Sequence, residues 1–527
     1  MITVGNTTTP PIKHAWREGI AVGAAHELLR ADLQAHLRML QKEFGYRRIR
    51  FHASFHDNVG VVRRGEDGRL QYTWTQLDKI YDFLVEVGFD PIVEINPMPS
   101  ALASGDTTTF WYKMNNTPPK DYGEWRAFIE AVVAHFTERY GQRRVKRWLF
   151  EVWNEPDLAN EFWTGDFDEY LKLYTASAAA VKAVCPDYQV GGPAGSWIAW
   201  NLPLLRICKE RGVPVDFLSV HAYPVGEYYG FPNRRNSPHA PGMCMIDLFR
   251  RIREETNQAG FGAVPVVCTE FNTLTCDAEG KPQWVGSTDV TRLYSAAAAC
   301  HYAVGVDPYV DVFTWWVASD VFFEGGPHLQ VFGDHNQYYG MVTINGTPKP
   351  AFHAFRYLGR LQGPCLEVTL DAPPPAQAGL RATREPDCVR MLLWNFQIPQ
   401  EPGQVVWRDV IRLPESLFGP AARIRVTSAQ VRAGMGSAYE AWESWGRPVS
   451  LTRLEEEALV AASQPEHRVR ILAAAGGCVE IPVELQRDEI LFLEIRPNAE
   501  AVGAGPLGED LLKLEAGLGN VGAKSVG

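Results

Sequence analysis

The sequence predicts an α/β chain: a (β/α)8 TIM barrel with an additional C-terminal all-β domain, most simply a β-sandwich. Three observations predict it. Between about residues 16 and 340, eight short runs rich in Val, Ile, Leu and Phe alternate with helix-length amphipathic stretches. After Gly340 the pattern changes to short strand-like runs cut by Pro and Gly turns. The length of 527 residues leaves room for a second domain beyond the about 250 residues of a barrel.

Taken in order, residues 1–15 are an N-terminal extension that can join the β domain. The barrel is expected over 16–345. Its strands are GIAVG from Gly19, RRIRFH from Arg47, PIVEINP from Pro91, WLFEVWNE from Trp148, YQVGGPA from Tyr188, VDFLSVHAY from Val215, VPVVCTEFN from Val264 and VDVFTWW from Val310. Near-continuous apolar runs of this kind suit parallel strands buried on both faces. Ala25–Phe44 and Trp74–Val87 have the three-to-four apolar spacing of helices that cover such a sheet. A doubly wound open sheet is the structural alternative, but no Gly-x-Gly-x-x-Gly opens a helix. NGTPKPAFHAF (Asn345–Phe355) reads as a turn and a short helix. The runs CVRMLLWNF, RIRVTSAQV and EILFLEI then place a β-sandwich over 346–500. Residues 501–527, rich in Gly and Ala, are expected to be a flexible tail.

Composition narrows the function classes. Hydrophobic residues make up 46% and charged residues 21%, an ordinary globular balance. A net charge of −11 repels phosphate backbones, and basic pairs such as Arg47-Arg48 stay isolated, so no nucleic-acid partner is expected. No apolar run approaches the ~20 residues of a membrane span, so no membrane partner is expected either. No basic-then-apolar leader is visible, and nine Cys lack paired spacing. Both features point to a cytoplasmic, reducing location. The His residues have no metal-site spacing, so neither a metal nor a cofactor is expected.

The chemistry lies at two strand ends. The fourth strand finishes in Trp153-Asn154-Glu155-Pro156 and the seventh in Thr269-Glu270-Phe271-Asn272. Each is largely apolar and presents a carboxylate in its last residues, a residue type depleted from strands and expensive to bury unpaired. In a TIM barrel, catalytic groups project from the carboxyl ends of strands. Two facing carboxyl groups are what glycoside hydrolysis requires: at ~5–5.5 Å apart, one serves as nucleophile and the other as acid/base. Glu270 is assigned the first role and Glu155 the second. Asn154 beside the acid can donate to a sugar 2-hydroxyl, a contact that strengthens in the transition state.

FEVWNEPDL (Phe150–Leu158) and CTEFNT (Cys268–Thr273) resemble the two catalytic motifs of glycoside hydrolase family 39, in particular those of its bacterial β-xylosidases. The resemblance extends through IRFHASFHDNVGVV (Ile49–Val62), PIVEINPMPSALASG (Pro91–Gly105), VPVDFLSVHAYP (Val213–Pro224), FTWWVASDVFFE (Phe313–Glu324) and TPKPAFHAF (Thr347–Phe355). It implies retention of configuration and exo-action, releasing xylose from short xylo-oligosaccharides or aryl xylosides. It also implies substrate contacts at His52, His221, Tyr223, Trp316 and Glu324, with Tyr223 donating to the nucleophile. Two departures stand out. Phe323 replaces the first of two adjacent acids, and QVFGDHNQYYGM (Gln330–Met341) replaces a shorter family segment, with Asp334 or His335 offered in its place. The altered segment keeps a second reading open, the same machinery acting as an α-L-arabinosidase, β-galactosidase or β-glucosidase. An α-L-iduronidase and a non-catalytic carbohydrate-binding protein stand further off. The motifs supply no evident cation for a uronate, and both carboxylates are present.

Overall fold

A computed structural model of the protein describes residues 1–196, 198–223, 245–273, 275–276, 282–283, 289, 291–322, 325–326, 330–333, 338–375, 377–397, 406–419 and 423–498. Eight parallel strands close into a barrel: β1 (Gly19–Ala24), β2 (Arg48–His52), β3 (Asp90–Ile95), β4 (Leu149–Val152), β5 (Gln189–Gly195), β6 (Phe217–Ala222), β7 (Val266–Phe271) and β8 (Val312–Trp315). The ring is sealed where Trp315 of β8 pairs with Ile20 of β1. One helix follows each strand: Ala31–Phe44, Thr75–Val87, Tyr122–Tyr140, Phe167–Val184, Asn201–Arg211, Met245–Gln258, Arg292–Val306 and Pro350–Leu358. The starts of two of them are fixed locally. Asp121 accepts from the backbone N–H groups of Gly123 and Glu124, and Asp166 from that of Glu169.

The first helix differs from the sequence expectation. Ala25–Leu29 is a 3-10 turn, and the α-helix starts only at Ala31. Arg30 between them is extended, at φ −79° and ψ 135°, and Glu27 turns its carboxylate back to accept from the Ala24 N–H at 3.0 Å.

The barrel interior is layered. Ile92, Leu149, Phe217, Val267 and Val312, from five strands, form an apolar cluster. Two residues further along β3 and β4, on the same inward face, come Glu94 and Glu151, both buried. The barrel therefore changes from dry and apolar to charged within one step of the strand period.

The second sheet is one nine-stranded sheet. Its order is Glu466–Ala473, Arg423–Val431, Ile490–Pro497, Cys388–Trp394, Gly379–Glu385, Cys365–Leu370, Ile2–Thr9, Trp407–Pro414, Cys478–Leu485. Residues from both ends meet in a single core: Ile411 and Ile481 from one, Val389, Met391, Val426 and Leu493 from the other. The alternation of strands shows which face is which. On Cys388–Trp394, Val389, Met391 and Leu393 enter this core, while Leu392 and Trp394 join the barrel core with Phe492. Phe492 stacks on Tyr357 of the eighth barrel helix, with ring centroids 4.9 Å apart. Ile2–Thr9 runs antiparallel to Cys365–Leu370 and parallel to Trp407–Pro414. Among the described residues, no helix is long and apolar enough to cross a membrane.

Candidate active site

The charged layer converges on Arg50, in the middle of β2. Its guanidinium is fully buried and its donors fan out over the barrel interior. Nε reaches Glu151 at 2.6 Å, one terminal nitrogen reaches Glu270 at 2.5 Å, and the other lies 2.7 Å from both Glu94 and the Asn154 side-chain oxygen. Burial works against this charge, but the carboxylates of Glu151, Glu94 and Glu270 outweigh it and hold the guanidinium above its ordinary pKa. One cation cannot satisfy three buried carboxylates. Burial pushes the Glu94 carboxyl well above the usual range despite Arg50 beside it.

His52, two residues further along β2, stands between Glu94, with Nδ1 at 2.9 Å, and Glu270, with Nε2 at 3.6 Å. Burial lowers its pKa to about 3, so the imidazole is neutral at ordinary pH. Its ring lies against Trp316, with centroids 4.7 Å apart. Trp316 in turn meets Phe322 edge-on, within an apolar wall that also holds Tyr112, Phe162 and Tyr339. Phe322 seats directly on Gly23 of β1: a Cβ there would lie 1.7 Å from the ring.

Glu155 and Glu270 meet at His221. A shift of register between β6 and β7 sets His221 opposite Glu270, the kind of irregularity that re-aims side chains beside functional sites. His221 Nδ1 is 2.8 Å from Glu155 Oε1 and 3.5 Å from Glu270 Oε2. Burial lowers the pKa of this histidine too, to about 4. Tyr223 donates its hydroxyl to Glu270 Oε2 at 2.8 Å. Burial, then the charges of Glu270 and Glu155, pushes the phenol well up, so it remains a donor. Both Glu270 oxygens thus accept from protein groups, one from Arg50 and the other from Tyr223.

The turn after β4 aims Glu155. Trp153 and Glu155 have φ of +72° and +41°, the left-handed region that non-glycine residues seldom occupy. The turn is held by Glu155 N–H donating to Ala194 O at 2.9 Å and Leu158 N–H to Glu155 O at 3.0 Å. One oxygen of Glu155, one of Glu270 and a His221 nitrogen all lie within 4.8 Å of one another. A cation could be bridged at that spacing, but Arg50 and Tyr223 already supply positive potential to Glu270.

Of the residues singled out in the sequence, His52, Asn154, Glu155, His221, Tyr223, Glu270 and Trp316 come together here. Glu324, Asp334 and His335 lie outside the described residues. Arg50, Glu94 and Glu151 were missed. The available signal was a charge inside each of three largely apolar strands, Arg50 in RIRFH, Glu94 in DPIVEI and Glu151 in LFEV.

The sequence matches Glycosyl hydrolases family 39 over residues 2–479. The chain belongs to glycosyl hydrolase family 39. A β-xylosidase of Geobacillus stearothermophilus is 34% identical over 509 residues, covering 94% of this family 39 chain and 95% of the relative. One from Caldicellulosiruptor saccharolyticus is 32% identical over 455 residues, covering 86% and 89%. The solved structure of a monomeric β-xylosidase from Caulobacter crescentus superposes with a TM-score of 0.79 at 28% identity, covering 94% of this chain and 99% of that one.

Proposed function

We propose that this protein is a retaining, exo-acting β-D-xylosidase that releases xylose from the non-reducing ends of short xylo-oligosaccharides, with Glu270 as nucleophile and Glu155 as acid/base. The observation that carries the mechanism is the convergence of the two carboxyl groups on His221, with one oxygen of each within 4.8 Å of the other. That close approach supports the ~5–5.5 Å separation of a double displacement over the ~6.5–9.5 Å of an inverting enzyme. The observation that supports the sugar is the long match to two β-xylosidases.

The two carboxyl groups have different surroundings, as their roles demand. Glu270 accepts hydrogen bonds from Arg50 and Tyr223, which hold both of its oxygens in place. It attacks the anomeric carbon, and the bond to the leaving oxygen breaks as Glu155 gives that oxygen its proton. Arg50 stays with the carboxylate oxygen that does not form the ester. In the second half, Glu155 takes a proton from water, whose oxygen displaces Glu270 from the sugar. His221, neutral and against Glu155, can accept or donate at Nδ1 as the acid changes state.

An arabinosidase, galactosidase or glucosidase using the same carboxylates is the alternative reading, because the segment 330–341 borders the pocket wall through Tyr339. A uronate substrate fits poorly: Arg50, the cation of this cluster, is already engaged by three carboxylates.

The test is the initial rate on p-nitrophenyl β-D-xylopyranoside for wild type and Glu270→Ala, the latter with and without azide. The expected outcome is turnover by wild type, a loss of at least ~10⁴-fold in the variant as a covalent nucleophile requires, and rescue by azide with α-xylosyl azide as product. Near-wild-type activity of Glu270→Ala would overturn the mechanism. Turnover of a different glycoside alone would overturn the sugar assignment.

A further inference from the structure

Beneath the pocket wall lies a second buried charge cluster that the mechanism does not use. Lys349, just before the eighth barrel helix, is 2% exposed. Its ammonium lies 2.6 Å from Asp289 Oδ1 and 2.5 Å from Asp320 Oδ2, and donates to Tyr338 O at 3.0 Å. The other oxygen of each carboxylate holds backbone: Asp289 Oδ2 accepts from Gly333 N–H and Asp320 Oδ1 from Gly340 N–H, each at 2.8 Å. The Lys349 N–H also donates to Met341 O at 3.0 Å. Six contacts thus tie residues 289, 320, 333, 338, 340 and 341 to Lys349, three of them made by its ammonium.

The segment so held fits without slack. A Cβ on Gly333 would lie 2.0 Å from the Tyr338 ring, and one on Gly340 2.5 Å from Asp320 N. Between these anchors stands Tyr339. Its ring packs in the wall with Trp316 and Phe322, and its carbonyl accepts from Asn272 Nδ2, which also donates to Trp316 O. One path from the ammonium to the sugar pocket therefore runs through Tyr339. Burial, and the nearby Asp320 charge, push the Asp289 carboxyl up against the pull of Lys349.

We propose that Lys349 is a positioning residue for the sugar pocket: clamped between Asp289 and Asp320, it sets Tyr338–Met341 and thereby the place of Tyr339 against Trp316. This rests on the glycosidase reading above but not on which sugar is bound, since kinetics can be run on whichever glycoside wild type turns over.

Lys349→Met, Tyr339→Ala and the double variant separate positioning from mere support. A wall that holds the sugar equally in ground and transition states gives uniform binding, so loss of its position is expected to raise KM about tenfold and leave kcat within about threefold. If Lys349 acts through Tyr339, the double variant has the KM of Tyr339→Ala alone. Asp289→Asn keeps the ammonium paired with Asp320 and gives a smaller KM rise, which serves if Lys349→Met does not fold. An unchanged KM in the folded variants, with only the melting temperature or active fraction lowered, would overturn the proposal. So would KM effects of Lys349→Met and Tyr339→Ala that multiply. Failure of the glycosidase reading would show separately, as a wild type with no turnover of any glycoside.

Discussion

Arg50 sets the electrostatics of the candidate active site, because a single guanidinium answers to Glu94, Glu151 and Glu270. Removing one member of a buried ion cluster leaves the others uncompensated, at about 3–5 kcal/mol. Arg50→Met is expected to lose stability in that range by urea unfolding and to lower kcat/KM by at least ~10²-fold. Arg50→Lys should not restore it, since a point charge cannot span three partners. Glu27 makes a prediction about pH. Burial raises its pKa from 4.5 to about 8. The folded state then binds a proton that the unfolded state has released, so this contribution is full below pH 4.5 and is lost as pH rises through about 8. The melting temperature of Glu27→Gln minus that of wild type should therefore grow as pH goes from 5 to 8; a flat difference would refute the shift. Glu155 and Glu270 were legible because each closes a largely apolar run of sequence on a charge. Arg50, Glu94 and Glu151 were not, because their meaning appears only when the closed barrel puts three mid-strand charges at one depth.

At the scale of elements, the barrel strands were legible to within one to three residues, since strands buried on both faces leave an unbroken apolar run. The extended Arg30 was not legible. The apolar spacing continues through it, and the break is imposed by the Glu27 carboxylate capping the turn after β1. The small residues of β1 have a packing role that spacing alone does not reveal. Gly23 leaves the hole that Phe322 fills. Gly23→Val should push Phe322 off β1 and away from Trp316. We expect a KM several-fold higher and a melting temperature a few degrees lower, in line with overpacking costs of about 1–3 kcal/mol. A crystal structure of the variant with Phe322 unmoved would contradict this.

For the whole molecule, the sheet that the sequence predicted as a sandwich also serves as a cover. Leu392, Trp394 and Phe492 complete the barrel core against helices Arg292–Val306 and Pro350–Leu358. A chain ending at residue 360 should therefore expose that apolar face and be insoluble; a soluble, active fragment would show that the sheet is dispensable. The sheet's run of short alternating strands was legible, but not the place of Ile2–Thr9 within it, because pairing over such a distance leaves no mark on local pattern.

That placement has a consequence in time. Ile2 pairs with Leu370 on one side and Ile411 on the other. At about 5–20 residues per second of synthesis, its neighbours arrive tens of seconds after it leaves the ribosome. All eight βα units have been made by then, so the barrel can form while this strand of the second sheet still waits unpaired. The molecule is closed only when late chain is laid beside early chain, which makes residues 2–9 the segment most open to chaperones, or to a neighbouring nascent copy, during that interval.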